Sequence, residues 1–253
     1  MKAKTAAEKP KKKTKAKSHG DPVAQANAGA RRAVYDKAFS LAAPALCRLG
    51  REIRCLATGA GDLAWAQAMA TAFPKAKIRI CCLEPEARKL AVAKRLTEAL
   101  NEQYRGRVRM VVHRKDCALA DLPTAAKRMR METPDILHVT IGSMDELDEE
   151  YPFEWPMRRG FIAVTFDQDR LEQSAGKSPE GISRIASGGT VFGMRFNDPP
   201  TGSIPLPHGL VADFHDKFAR AGVELTLLDT WVCFLQHGSG SRVEGYAIFQ
   251  RVN

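Results

Sequence analysis

No run of apolar residues approaches the roughly 20 that a membrane-spanning helix requires. The first twenty residues, MKAKTAAEKPKKKTKAKSHG, lack the apolar core of a secretory signal, and they lack the arginine and amphipathic character of a transit peptide. These absences argue against secretion and lead us to expect a soluble protein of the nucleus, nucleolus or cytoplasm. There is no CxxC pair and no histidine at zinc-ligand spacing from a cysteine. Cys47, Cys55, Cys81, Cys82, Cys117 and Cys233 are therefore read as reduced, buried small hydrophobes with no metal role. Cys81 and Cys82 would face opposite sides of a strand, which disfavours a bridge between them.

Acidic and large apolar residues are nearly missing from the first twenty positions. Eight lysines there face Glu8 alone and supply +7 of the chain's +10. Such a stretch cannot offset the entropy of ordering, so residues 1–28 are expected to form a disordered basic tail ahead of one domain at 29–253. Clustered lysine is a mobile point charge suited to nonspecific phosphate contact, to nuclear targeting, or simply to solubility.

After the tail the pattern is alternation. Over 30–49 the apolar positions Val34, Ala38, Leu41 and Ala45 recur at helical spacing, interrupted by Pro44. IRCLATG (53–59) predicts a buried strand turning at glycine into a helix that starts at Asp62 and runs through Phe73. A strand at 77–85 and a helix carried by Leu90, Ala93, Leu96 and Leu100 repeat the unit. A strand at 107–116, a short helix ending near Met131 and a strand at 135–141 follow. Farther on lie an extra strand at 160–166, a fifth strand at 188–196, a helix marked by Leu210, Phe214 and Phe218, and two strands at 223–236 and 242–252. The short HGSGS join makes that last pair an antiparallel hairpin. The expected fold is α/β, a mostly parallel sheet with helices on both faces.

In an open parallel sheet, ligands bind beyond the carboxyl ends of the strands, where a glycine turn lets backbone approach them. The first such turn here is ATGAGD, with Thr58, Gly59, Gly61 and Asp62. Glu84 ends the second strand, where a carboxylate can accept both ribose hydroxyls, and Asp116 ends the third, where an acid can accept an adenine amino group. With this element order and these residues, the sequence resembles the Rossmann-like (class I) S-adenosylmethionine-dependent methyltransferases over roughly residues 50–253. The resemblance implies a seven-stranded sheet ending in the antiparallel hairpin. It also implies S-adenosylmethionine as cofactor, with Gly59 and Gly61 at its methionine part, Glu84 at ribose and Asp116 at adenine, and with Thr58, Asp62 and Cys117 among the cofactor-binding residues. The family's first-strand acid falls on Cys55 and its first motif glycine on Ala57. The stretch GAGDLAWAQAMATAF is also similar to the opening of the ribosomal-RNA uridine N3-methyltransferase-like group.

In that family, substrate-facing residues follow the fourth strand, which here continues as VTIGSMDEL. Thr140, Ser143 and Asp145 are candidates to position a substrate, and Asp145 could accept a proton; the same acids also suit a solvated helix start. NDPP (197–200) resembles the motif of amino-group methyltransferases but lacks its aromatic, and reads as a rigid loop. His113 and His138 read as core or rim side chains and Trp65 as packing. Phe153, Trp155, Arg158 and Arg159 form a loop that suits stacking and phosphate contact, and its aromatics equally suit a packing staple within the loop. The leading expectation is a methyltransferase acting on RNA, with the tail and the Trp155–Arg159 loop as contacts. A catalytically inactive RNA- or ribonucleoprotein-binding module, and a small-molecule or protein methyltransferase, remain as alternatives.

Overall fold

The structure, a computed structural model, describes residues 21–114, 127–131, 134–141, 161–166, 212, 215, 216, 219, 223–237 and 240–252. Helix α1 (Pro22–Leu46) begins where Asp21 accepts the Val23 N–H at 3.0 Å and Pro22 takes the first turn, a place where its missing N–H costs nothing. Residues 22–28, assigned to the tail from composition, are thus the first turns of a helix. Its buried stripe is Val34, Tyr35, Ala38, Phe39, Ala42 and Leu46. Leu41 is 43% exposed and Ala45 is exposed, so the contact face is rotated from the predicted one. Pro44 sits near the end of the helix, and a 3-10 turn (Cys47–Leu49) leads to Gly50 at φ 62°, a left-handed position suited to glycine.

The strands are β1 (Ile53–Thr58), β2 (Ile78–Glu84), β3 (Val108–Arg114), β4 (Ile136–Ile141), β5 (Phe161–Phe166), β6 (Leu225–His237) and β7 (Gly240–Arg251). Helices α2 (Ala64–Ala72) and α3 (Ala87–Gln103) follow β1 and β2. The sheet order is β3-β2-β1-β4-β5-β7-β6; β7 runs antiparallel to both β5 and β6, and the other pairs are parallel. This is the Rossmann-like architecture expected, with the chain reversing direction across the sheet between β1 and β4. Residues 160–166, read as an extra strand, contain β5, which pairs with β4 on one side and β7 on the other; 188–196, read as the fifth strand, is outside the described residues.

Helices α1, α2 and α3 pack on one face of the sheet over a continuous core that includes Phe39, Ile53, Met69, Phe73, Ile80 and Ile248. On the opposite face, the Arg79 guanidinium donates to the Met129 carbonyl at 3.3 Å. Cys55, Cys81, Cys82 and Cys233 are buried as expected, whereas Cys47 is exposed at the end of α1. Burial pushes the Cys81 and Cys233 thiols up to about 11 and about 12, which keeps them protonated and inert. Cys117 lies outside the described residues. No helix among the described residues is long and apolar enough to cross a membrane.

Candidate functional site

The turn from β1 into α2 is held from both sides. The Gly59 N–H donates to the Leu83 carbonyl at 2.9 Å, prolonging the β1–β2 ladder. Gly59 has φ 74°, and a Cβ there would stand 3.0 Å from the Thr140 hydroxyl, so any larger residue would be both strained and crowded. Thr140 is fixed in turn: its N–H donates to Thr58 Oγ1 and its hydroxyl to the Thr58 carbonyl, each at 3.1 Å. The Thr140 proton is therefore committed to this clamp, and its oxygen keeps only acceptor capacity. Leu63 adopts φ 59°, a conformation costing a side-chain-bearing residue about 1–2 kcal/mol, and its burial in the core holds it there. Asp62 accepts the Ala64 N–H at 3.0 Å from outside the helix, so α2 begins two residues later than predicted.

Glu84 is 2% exposed at the end of β2. Its Oε2 accepts the Ala60 N–H at 2.9 Å and its Oε1 the Glu86 N–H at 3.1 Å. Both oxygens are anchored by backbone, yet each retains a second lone pair.

These groups meet around a cavity of about 490 Å³ at the carboxyl ends of β1, β2 and β4, beside the point where the strand order reverses. Thr58, Gly59, Gly61, Asp62, Glu84 and Thr140 all line it. Cys55 and Ala57, where the motif departs from its usual acid and glycine, are fully buried in the core and do not line it. Asp116, Cys117, Ser143, Asp145, Phe153, Trp155, Arg158, Arg159 and residues 197–200 lie outside the described residues.

Three elements that the sequence did not connect to this site complete its wall. Tyr35 of α1 places its hydroxyl 2.7 Å from Thr165 Oγ1 of β5 and 3.0 Å from His138 Nε2 of β4. Trp65 stacks on the His138 ring at 4.8 Å and donates its indole N–H to the Ala60 carbonyl at 3.3 Å, so it packs as expected. His113, by contrast, is exposed on β3, away from this cavity.

The second addition is an ion-pair knot. Arg31 of α1 donates to Asp62 Oδ2 at 2.9 Å and, through two nitrogens, to both Glu244 oxygens at 2.7 and 2.8 Å. The Tyr246 hydroxyl donates to Glu244 at 2.6 Å. Burial alone would raise the Glu244 carboxyl, but the Arg31 hydrogen bonds and charge, with Tyr246, bring it below its ordinary value. The signal that could have found Arg31 and Tyr35 is their spacing of one helical turn, which puts a cation beside the apolar stripe. Glu244 carries no local signal.

Burial pushes the His138 imidazole down to about 3. The folded protein therefore excludes a proton that the unfolded chain accepts near its ordinary value of 6.5. Stability from this group is complete above that value and is lost as pH falls toward about 3, at about 1.4 kcal/mol per pH unit. Urea midpoints measured from about pH 6.5 to 5 should decline accordingly, and His138→Gln should flatten the decline. An equally steep profile in the variant would refute the assignment.

No family model matches the chain, and no curated protein matches it in sequence. Among solved structures it is similar to P. horikoshii TYW2 in complex with MeSAdo, at 10% identity and a TM-score of 0.43. That match covers 79% of this chain and 57% of the other, so the chain spans little more than half the length of that protein. It is also similar to M. jannaschii TYW2 in complex with AdoMet, at 13% identity, TM-score 0.41, and 80% and 70% coverage of the two chains. A third match is precorrin-6y C5,15-methyltransferase from Geobacter metallireducens GS-15, at 13% identity, TM-score 0.42, and 87% and 86% coverage.

Proposed function

We propose that the cavity binds S-adenosylmethionine and that the protein is a methyltransferase acting on RNA, with ribosomal RNA as the substrate class to test first. The observation that carries the reading is the arrangement of Glu84. A buried carboxylate at the second strand end, tied to the glycine turn through Ala60, keeps two acceptor positions available at the edge of a nucleoside-sized cavity. Gly59 and Gly61 leave backbone where side chains would otherwise stand; at Gly61 an added Cβ would meet nothing within 4 Å.

When bound, the cofactor supplies an electrophilic methyl group on a sulfonium. The protein's part is alignment and exclusion of water. Glu84 would accept hydrogen bonds from the ribose hydroxyls and the 58–62 turn would meet the methionine part, with Asp116 and Cys117 the residues assigned to adenine. Thr140 fixes the turn at the substrate side, and Asp145 takes the proton where the nucleophile must lose one. The basic tail raises the local concentration of a polyanionic substrate, which is what favours RNA.

A second reading is a binding module without turnover. It is favoured by the state of the described cavity groups: Arg31 engages both Asp62 and Glu244, and His138 is held neutral far below its ordinary range. Thermal denaturation of the full chain separates the two. Adenosylmethionine at a hundred times its dissociation constant adds about 2.7 kcal/mol, a rise of several degrees. No shift at millimolar cofactor, with RNA binding intact, rejects the enzyme and leaves the module.

A further inference from the structure

The face of the sheet turned away from α1, α2 and α3 carries a row of like charge. Arg54, Arg79 and Arg109 are in register on the adjacent strands β1, β2 and β3. Like charges placed directly across neighbouring strands repel, and the row spans only about 10 Å at the usual strand spacing. Arg79 and Arg109 form one wall of a groove of about 410 Å³, and Arg128 and Arg130 stand opposite, with His113 farther along β3. No groove-lining residue among those described is acidic, and none of these arginines is ion-paired among the described residues. The Arg54 Nε is buried without a hydrogen-bond partner. Arg130 adopts φ 54°, a left-handed position that glycine would fill without cost.

Four guanidinium groups around one groove, with a fifth in the same row and no ion pair to any of them among the described residues, favour the entry of an anion. We propose that this groove binds the phosphodiester backbone of an RNA strand, as a contact separate from the cavity; the choice of RNA rests on the function proposed above. Guanidinium forks match phosphate oxygens in pairs. The groove offers no aromatic platform among its described lining, which is Ile80, Cys81, Val111 and Met129 besides the basic residues, so it holds backbone without reading bases. His113 lies one residue short of the Arg114 position paired with Glu84, so a strand following the groove along β3 is led toward the sheet edge where the cavity opens.

The test is fluorescence anisotropy of a labelled, mixed-sequence single-stranded RNA with the full chain, titrated from about 50 to 200 mM salt. Arg79→Gln with Arg109→Gln, and separately Arg128→Gln with Arg130→Gln, should each weaken binding about tenfold and flatten the log–log salt slope by about 1.4, two phosphate contacts' worth. Because the tail is unchanged in every variant, the change in slope belongs to the groove. Urea midpoints near that of the parent show that the variants fold, and the pair on the facing wall guards against local collapse at β2 and β3. Parent-like affinity and slope in both variants overturn the groove while leaving the RNA reading standing. No RNA binding by the parent at low salt overturns both. Neither outcome bears on the cofactor shift, which is measured without RNA.

Discussion

Replacing Glu84 with alanine is expected to abolish the thermal stabilisation conferred by adenosylmethionine. Hydrogen bonds to a charged acceptor contribute about 1.5–3 kcal/mol each, so losing two to the ribose weakens binding by roughly two to four orders of magnitude. The same change strips acceptors from the Ala60 and Glu86 N–H groups. The apo protein should therefore melt earlier as well, at a cost of about 1–3 kcal/mol for the buried Ala60 N–H left alone and less for the Glu86 N–H on an exposed residue. The quantity to compare is the ligand-induced shift within each variant, not the absolute melting temperature. Glu84→Gln keeps the shape and one acceptor, and should restore much of the apo stability but little of the shift. A normal shift in Glu84→Ala would remove the carboxylate from any role in cofactor binding.

Arg31→Met should cost about 3 kcal/mol of folding stability, a large share of the 5–15 kcal/mol typical of a domain. The methionine fills the space of the aliphatic stem but takes from the Glu244 carboxylate, 8% exposed, its hydrogen-bonded counter-charge, leaving Tyr246 and the more weakly acting Arg242. Adding Glu244→Gln to Arg31→Met should recover part of the loss, because the buried charge that lost its main partner is then gone. The acid response follows from the sign of the Glu244 shift. A carboxyl held below its ordinary 4.5 contributes stability that is present above that value and is lost as pH falls beneath it. Without Arg31 the carboxyl rises, and acid unfolding should begin at higher pH. Urea denaturation at neutral pH decides the matter: a loss below about 1 kcal/mol would mean that the knot is screened like a surface pair.

The parts of this fold that repeat were legible in the sequence. β1, β2, β3 and β4 each announce themselves as a short apolar run bounded by glycine, proline or charge, and the positions of Gly59 and Glu84 follow from where those runs stop. The last hairpin was equally plain from its turn. What local pattern could not supply was partnership across the chain. Phe161–Phe166 and residues 188–196 are both credible strands, and only pairing with β4 and β7 selects the first as the fifth strand. The rotation of the α1 stripe has the same origin: Leu41 and Tyr35 are both candidates for burial by period, and the surfaces of β6, β7 and α2 choose Tyr35. In the cavity, the glycine turn and Glu84 were visible as residues at strand ends. Arg31, Tyr35, His138 and Glu244 come from three separate segments whose meeting depends on the whole sheet closing.

The reach of Arg31 to Glu244 spans 213 positions of sequence. A nascent polypeptide that has emerged through β5 already possesses Arg31 and Asp62 but lacks the Glu244 carboxylate that engages the other edge of the guanidinium. The part of the wall formed by Arg242 and Glu244 is thus missing until β7 has left the ribosome, and a chain arrested before that strand would present a cleft open on one side.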